Sequence, residues 1–275
     1  MSRRRISAEQ VVITSFLVDL SDVVFNVIVA VLSGSVVMLS QALQGGADLL
    51  TSALLLVGLR QSRQRPSLLY RFGHGRELFF WVLMAGVSMF ILTGTLSTYF
   101  GVQRFLHPEP IDNLWLSLGA LAIGLVTNSY AFKLSFRRLQ ESEGAESFLQ
   151  IVRHSSLIET KATLFLDLMG ASASILGLLA LGLYLLTGNL RFDGLGAIFI
   201  GLTTAVLAVG LISSVKDLLV GRSANPELEA KIRSAALEIP GVEEVLEIHT
   251  MYLGSERLLA NIDVHMASGL TTDEL

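Results

Sequence analysis

Ser35 to Leu59 reads SVVMLSQALQGGADLLTSALLLVGL, 25 residues in which Asp48 is the single formal charge. A helix of roughly 20 apolar residues crosses the hydrocarbon core of a bilayer, so this run is long enough to span one. Asp48 sits near its middle, where an ionised carboxylate costs about 2.5–3.5 kcal/mol on insertion scales. A proton, a cation or a buried partner must stabilise it. Asp167 lies in a later apolar stretch in a similar setting. Two acids within one membrane domain point to an ion or proton pathway.

The rest of the chain follows the same pattern. It has 275 residues, 52% of them hydrophobic and 16% charged, with mean hydropathy +0.60, the profile of a polytopic membrane protein. Apolar segments lie near 12–33, 36–59, 79–101, 114–135, 163–187 and 194–214. The linker 60–76 carries Arg60, Arg63, Arg65, Arg71 and Arg76. The stretch after the fourth segment carries Lys133, Arg137, Arg138 and Arg153, with Lys161 at the edge of the fifth. The connections 102–113 and 188–193 hold one basic residue each, Arg104 and Arg191. Lys and Arg concentrate in cytoplasmic loops, so both termini are expected in the cytoplasm. Residues 1–11 read as a cytoplasmic tail, because MSRRR is not followed by a short apolar core and cleavage site. The chain has no cysteine, which removes disulfides, thiolate zinc sites and redox motifs. A formal charge of −4 is too small and too mixed to suggest nucleic acid.

Polar residues inside the segments carry the functional signal. Asp19, Asp22 and Asn26 fall at i, i+3 and i+7, on one helical face. Gln44 and Asp48 are one turn apart, with Gly45, Gly46 and Ala47 between them, small enough for close helix approach. Thr163 and Asp167 repeat the i, i+4 spacing ahead of Gly170, Ala171, Ser172 and Ala173. Two such pairs facing each other would supply four oxygen ligands at one point. The plainer alternative is that Gln44 and Thr163 only hydrogen-bond between helices while Asp48 is held protonated. Asp19 and Asp22 lie towards the cytoplasmic end, where water reaches them. His74, His107, His154, His249 and His265 all fall outside the segments, so a metal within the membrane would have oxygen ligands. Oxygen sets suit Mn²⁺ or Fe²⁺ better than they suit an imidazole-type zinc site.

After Lys216 the composition changes. NPELEAKIRSAALEIPG predicts a helix with Leu228, Ile232, Ala235 and Ala236 at helical spacing, ending at Pro240-Gly241. EVLEIHTMYLG and LLANIDVHMA alternate as two strands joined near Ser255-Glu256, and TTDEL predicts a further helix capped by Thr271 or Thr272. The fold class expected is an all-α membrane domain of six transmembrane helices, residues 12–222, followed by a small cytoplasmic α+β domain, 223–275, that reads as truncated. About 50 residues from Asn225 make a thin core, which favours pairing with a second copy.

Four stretches carry a family resemblance. SGSVVMLSQALQGGADLL places a Gly-Ser pair before a helix with two candidate ligands four residues apart. FGHGRELFFW (72–81) leads into the third segment, HPEP (107–110) follows it, and GRSANPELEAKIRSAALEIPGVEEVLEIHTMYLG follows the sixth. Over essentially the whole chain these motifs resemble the cation diffusion facilitators.

That resemblance implies a homodimer exporting divalent cations (Mn²⁺, Fe²⁺ or Zn²⁺) from the cytoplasm by exchange with protons, without an organic cofactor. It implies a transport site at Gln44, Asp48, Thr163 and Asp167. The family has His or Asp where this chain has Gln44 and Thr163. A second family site would fall on Ser67, Tyr70 and His74, where His74 is the one strong ligand. A cytoplasmic metal site would fall on Asp263 and His265, with Leu246 replacing a common ligand. A Gln/Asp/Thr/Asp set has two titratable groups, enough to neutralise one divalent cation and to couple its release to protons. The alternative is a transport-deficient member that stabilises or regulates an active relative by associating with it. No nucleophile–base arrangement or phosphate-binding loop points to an enzyme.

Overall fold

The structure is a computed structural model. It describes the backbone of residues 8–143, 158–255 and 257–268 and the side chains of 19–141, 158, 160–255 and 257–268. Arg153, His154 and the expected caps Thr271 and Thr272 lie outside the described residues.

Long helices run up and down in succession: α1 Ala8–Ser33, α2 Val36–Ser62, α3 Glu77–Leu106, α4 Leu114–Glu143, α5 Ile158–Thr187 and α6 Arg191–Val220. The helices α2 to α6 are long and apolar enough to cross a membrane, and α1 adds 26 residues packed along α2. A short helix, α7 (Pro226–Leu237), and an antiparallel hairpin, β1 (Val242–Gly254) and β2 (Arg257–Met266), follow. The protein is thus an integral membrane helix bundle with a small α+β element after it. The apolar runs expected from sequence lie within these helices, which continue past them into polar flanks; α4, expected to end near 135, runs to Glu143. The helical hydrogen-bond ladder does not stop where hydrophobicity does.

Local chemistry sets the ends. Gly34 turns the chain at φ 64°, and Ser35 caps α2, its Oγ accepting from Met38 N at 3.3 Å. α6 stops at Gly221, φ 118°, and Asn225 caps α7 just ahead of Pro226. The sequence did not signal one irregularity. α3 carries a π-helical stretch at Phe90–Thr95, where Gly94 lies against the backbone of Ala205. Below it α3 and α6 pack backbone to backbone. A Cβ at Gly101 would sit 2.7 Å from Ile198 N, and one at Gly194 would sit 2.5 Å from Phe105 N.

Two apolar clusters hold the bundle. One joins α2, α3, α5 and α6 through Ala47, Phe79, Val82, Phe165, Met169, Leu211 and Val215 and takes in Tyr252 of β1. The other ties α1 and α2 to α4, α5 and α6 through Val29, Val37, Leu121, Ala173, Leu181 and Ile200. The second cluster lies at the end of the bundle away from the hairpin.

The hairpin is docked to the bundle. Tyr252 N donates to Arg222 O at 3.3 Å, Ala224 N donates to Thr250 Oγ1 at 2.9 Å, and Arg76 donates to Leu219 O. The turn at 73–75 touches the strand end, where a Cβ on Gly75 would lie 2.3 Å from Leu253 O.

Candidate functional site

The i, i+4 pair on α2 is joined directly. Gln44 Nε2 donates to Asp48 Oδ1 at 3.0 Å, while Gln44 Oε1 is buried without a partner. Gln44 is 2% exposed, whereas Asp48 is half-buried. Asp167 accepts from Ser135 Oγ of α4 at 2.7 Å, and Thr163 is exposed. Asp48 and Asp167 lie on α2 and α5, which contact each other within the bundle. Among the described residues, no three His, Asp or Glu side chains are gathered where they could hold one ion.

The face of α1 read from sequence as Asp19, Asp22 and Asn26 lies along α2. Ser52 Oγ donates to Asp19 Oδ2 at 2.5 Å, and Asn26 Nδ2 donates to Asp22 Oδ2 at 2.9 Å. Asp22 Oδ2 is 3.4 Å from where a Cβ on Gly45 would stand. Gly45, Asp48 and Ser52 share one face of α2, so the two α1 carboxylates straddle Asp48. All four acids lie near mid-helix or towards the hairpin half.

The weaker candidates are dispersed. His74 Nδ1 lies 3.2 Å from Glu77 Oε1, a contact within the start of α3. Ser67 and Tyr70 close a turn on each other, with Tyr70 N donating to Ser67 Oγ at 3.2 Å. Asp263 and His265 alternate on one exposed face of β2, opposite Glu247 and Glu244. His265 Nε2 is 3.9 Å from Glu243 Oε2, and Leu246 is exposed.

Sequence reasoning missed three partners. Ser135 and Ser52 carry no signal of their own, since serines are common in such helices. Asp193 was read as loop, but it is fully buried. It accepts from Ser35 Oγ at 2.6 Å, Val36 N at 2.9 Å, Val37 N at 3.1 Å and Arg104 Nε at 3.1 Å. It therefore anchors the start of α2, and through it the register of Gln44 and Asp48. The Gly-Ser pair before α2 and the lone Arg104 were the available hints.

Comparison with known proteins agrees with this architecture. The family model for the cation efflux transmembrane domain matches residues 12–220. The chain is 27% identical over 265 residues to the proton-coupled zinc antiporter SLC30A9, mitochondrial, of Xenopus laevis, covering 96% of this chain and 47% of that protein. The human protein of the same name is 28% identical over 243 residues, covering 87% and 43%. The zinc transporter ZitB of Escherichia coli is 26% identical over 231 residues, covering 83% and 68%. This chain therefore spans less than half the length of the two antiporters. With the matched region running from the first helix to the end of the sixth, the chain belongs to the cation efflux family.

Proposed function

We propose that this protein exports a divalent metal cation from the cytoplasm in exchange for protons. Asp48 and Asp167 are the charged ligands in this reading, with Gln44 and Thr163 as neutral oxygen neighbours. The observation that carries it is the placement of the two acids. They come from separate helices, α2 and α5, that contact each other in the bundle, and each is hydrogen-bonded to a polar side chain there. The arginine-rich linker 60–76 lies at the hairpin end, and the positive-inside rule supports a cytoplasmic position for that end. A cation arriving from that side meets carboxylates. The apolar cluster around Val29, Val37 and Leu121 closes the opposite side.

Relatives named zinc antiporter and zinc transporter support a metal cargo and antiport. Protons are the natural counter-ion, because carboxylates that release a cation can take up protons in its place. Residues 12–222 would be the transport unit. Residues 223–275 would be a dimerisation and regulatory unit of a homodimer, a role that the exposed Leu237, Ile239 and Leu246 suit.

Purified protein in proteoliposomes, given Zn²⁺, Mn²⁺ or Fe²⁺ and a pH gradient, tests the reading. Uptake of at least one ion that is lost in both Asp48→Asn and Asp167→Asn is expected. No uptake of any of the three by the wild type would sink it. One observation favours a second reading: Thr163 is exposed and Asp167 is engaged by Ser135, so α5 offers little to a shared ion. A transport-deficient partner of an active relative would show no uptake alone and would raise that relative's activity when co-reconstituted.

A further inference from the structure

The linker 60–76 between α2 and α3, RQSRQRPSLLYRFGHGR, holds five arginines and no acid. Arg76 serves the fold by donating to Leu219 O. Arg60, Arg63, Arg65 and Arg71 are exposed, and among the described residues none of the four has an ion-pair partner. Among them lies an apolar run that is equally uncovered. Leu68 is 89% exposed, Leu69 90%, Tyr70 55% and Phe72 62%. The run is a built turn: Ser67 N donates to Tyr70 O at 3.2 Å, Tyr70 N to Ser67 Oγ at 3.2 Å, and Gly73 N to Tyr70 O at 2.9 Å. Leu68 and Leu69 therefore stand at its tip. The Tyr70 ring packs on the His74 ring, with centroids 4.4 Å apart. Arg257 of β2, also exposed, adds a cation beside the turn, its Nη1 3.2 Å from where a Cβ on Gly73 would stand.

We propose that this turn is a lipid-binding wedge: Leu68, Leu69 and Phe72 enter the headgroup layer of the adjoining leaflet, and Arg63, Arg65 and Arg71 take the phosphates of anionic phospholipids. The linker leaves one membrane-length helix and enters the next, so both of its ends are fixed at the membrane surface. Aliphatic and aromatic side chains flanked by cations are the chemistry of segments held in the interface of an anionic bilayer. Guanidinium groups suit phosphate further, because each can give it two parallel hydrogen bonds. A second copy meeting this turn across a two-fold axis would instead set arginines against arginines. The wedge adjoins the Gly75–Leu253 contact, so bound lipid lies beside the place where the hairpin docks. The inference concerns the membrane alone and stands whether or not a cation is carried.

The chain has no cysteine, so a single fluorophore can be attached to the full chain through Leu68→Cys. The probe is a set of proteoliposomes of phosphatidylcholine, with or without phosphatidylglycerol, each containing a doxyl-labelled lipid as quencher. Quenching should rise about twofold or more when phosphatidylglycerol is present, since each arginine near an anionic surface adds attraction. Arg63→Gln, Arg65→Gln and Arg71→Gln together should abolish that rise, in a variant that loses no ion pair of the fold. The same label on Ser234→Cys, exposed on α7, should respond to neither lipid. A Leu68→Cys label left unquenched in both lipids overturns the wedge. Quenching that is equal with and without phosphatidylglycerol, or a rise that survives in the triple variant, overturns the pairing of arginine with anionic phosphate. A response that follows the protein-to-lipid ratio and ignores phosphatidylglycerol gives the turn to a second copy of the chain and overturns the inference as a whole.

Discussion

Arg104 Nε donates to Asp193 Oδ2 at 3.1 Å with the two side chains 6% and 0% exposed, at the point where α3 ends and α6 begins. The same carboxylate takes the first free N–H groups of α2, an arrangement favoured by the positive end of the helix dipole. Arg104 also reaches Gly34 O and Glu109, so one ion pair fastens three helix ends and the turn between α1 and α2. Pocket-lining residues Gln103 and His107 lie beside it, on the side of the bundle away from the candidate cation site.

This geometry predicts an order of severity. Asp193→Ala takes from the Arg104 guanidinium its buried carboxylate, leaving it Glu109 and Gly34 O, and leaves Val36 N and Val37 N without their acceptor. Breaking a buried pair in this way costs about 3–5 kcal/mol. Arg104→Met removes the cation but leaves Asp193 with Ser35 Oγ and two backbone donors, so its cost should be smaller. Thermal unfolding of the two variants in the same detergent checks this. A larger loss for Arg104→Met would mean that Asp193 is not the anchor.

The contact between the 73–75 turn and the hairpin predicts a second, local effect. A methyl group on Gly75 collides with the Leu253 carbonyl oxygen, a backbone atom that cannot swing aside. Gly75→Ala should therefore loosen β1–β2 from the bundle, at about 1–3 kcal/mol for the overpacking. Gly46→Ala, where a Cβ would meet nothing within 4 Å, is the matched control. Limited proteolysis should cut Gly75→Ala in residues 221–255 faster than wild type and Gly46→Ala at the wild-type rate. Equal rates for all three would contradict the docking.

Apolar run length was enough to read the number and order of the long helices, because lipid leaves the backbone so few choices. The α7–β1–β2 order was likewise legible from a change of period. The candidate site was legible only within single helices. Gln44 and Asp48, one turn apart, are hydrogen-bonded as their spacing allows. Which helix faces which acid was not legible, since that depends on packing between segments distant in sequence. Asp167 meets Ser135, 32 positions away, and Asp19 meets Ser52, 33 positions away. The π-helical stretch in α3 also coincides with a long-range contact, since its Gly94 lies against Ala205 of α6.

Orientation can be checked with the chain as it stands, since it has no cysteine to remove. Ser67 lies in the exposed arginine-rich linker and Asp112 in the exposed connection between α3 and α4, at opposite ends of the bundle. With the linker in the cytoplasm, a membrane-impermeant thiol reagent applied to intact cells should label Asp112→Cys and not Ser67→Cys, if the protein resides in the plasma membrane. In sealed vesicles of an internal membrane, cytoplasmic side out, the two should exchange. Labelling of Ser67→Cys together with protection of Asp112→Cys in intact cells would invert the topology and with it the direction of transport.

Replacing Gln44 by histidine bears most directly on what the site selects. Gln44 is almost wholly buried, and an imidazole is close to its side chain in volume. One turn before Asp48, it would put a nitrogen ligand beside a carboxylate and satisfy the place where Oε1 now has no partner. Zinc takes His nitrogen readily, whereas Mn²⁺ is better served by oxygen. Gln44→His should raise zinc transport relative to manganese by about tenfold, corresponding to roughly 1.4 kcal/mol of added preference. The ratio of initial uptake rates for the two ions in proteoliposomes measures it, with Asp48→Asn as the null control. An unchanged ratio in a variant that still transports would place the cation out of reach of position 44.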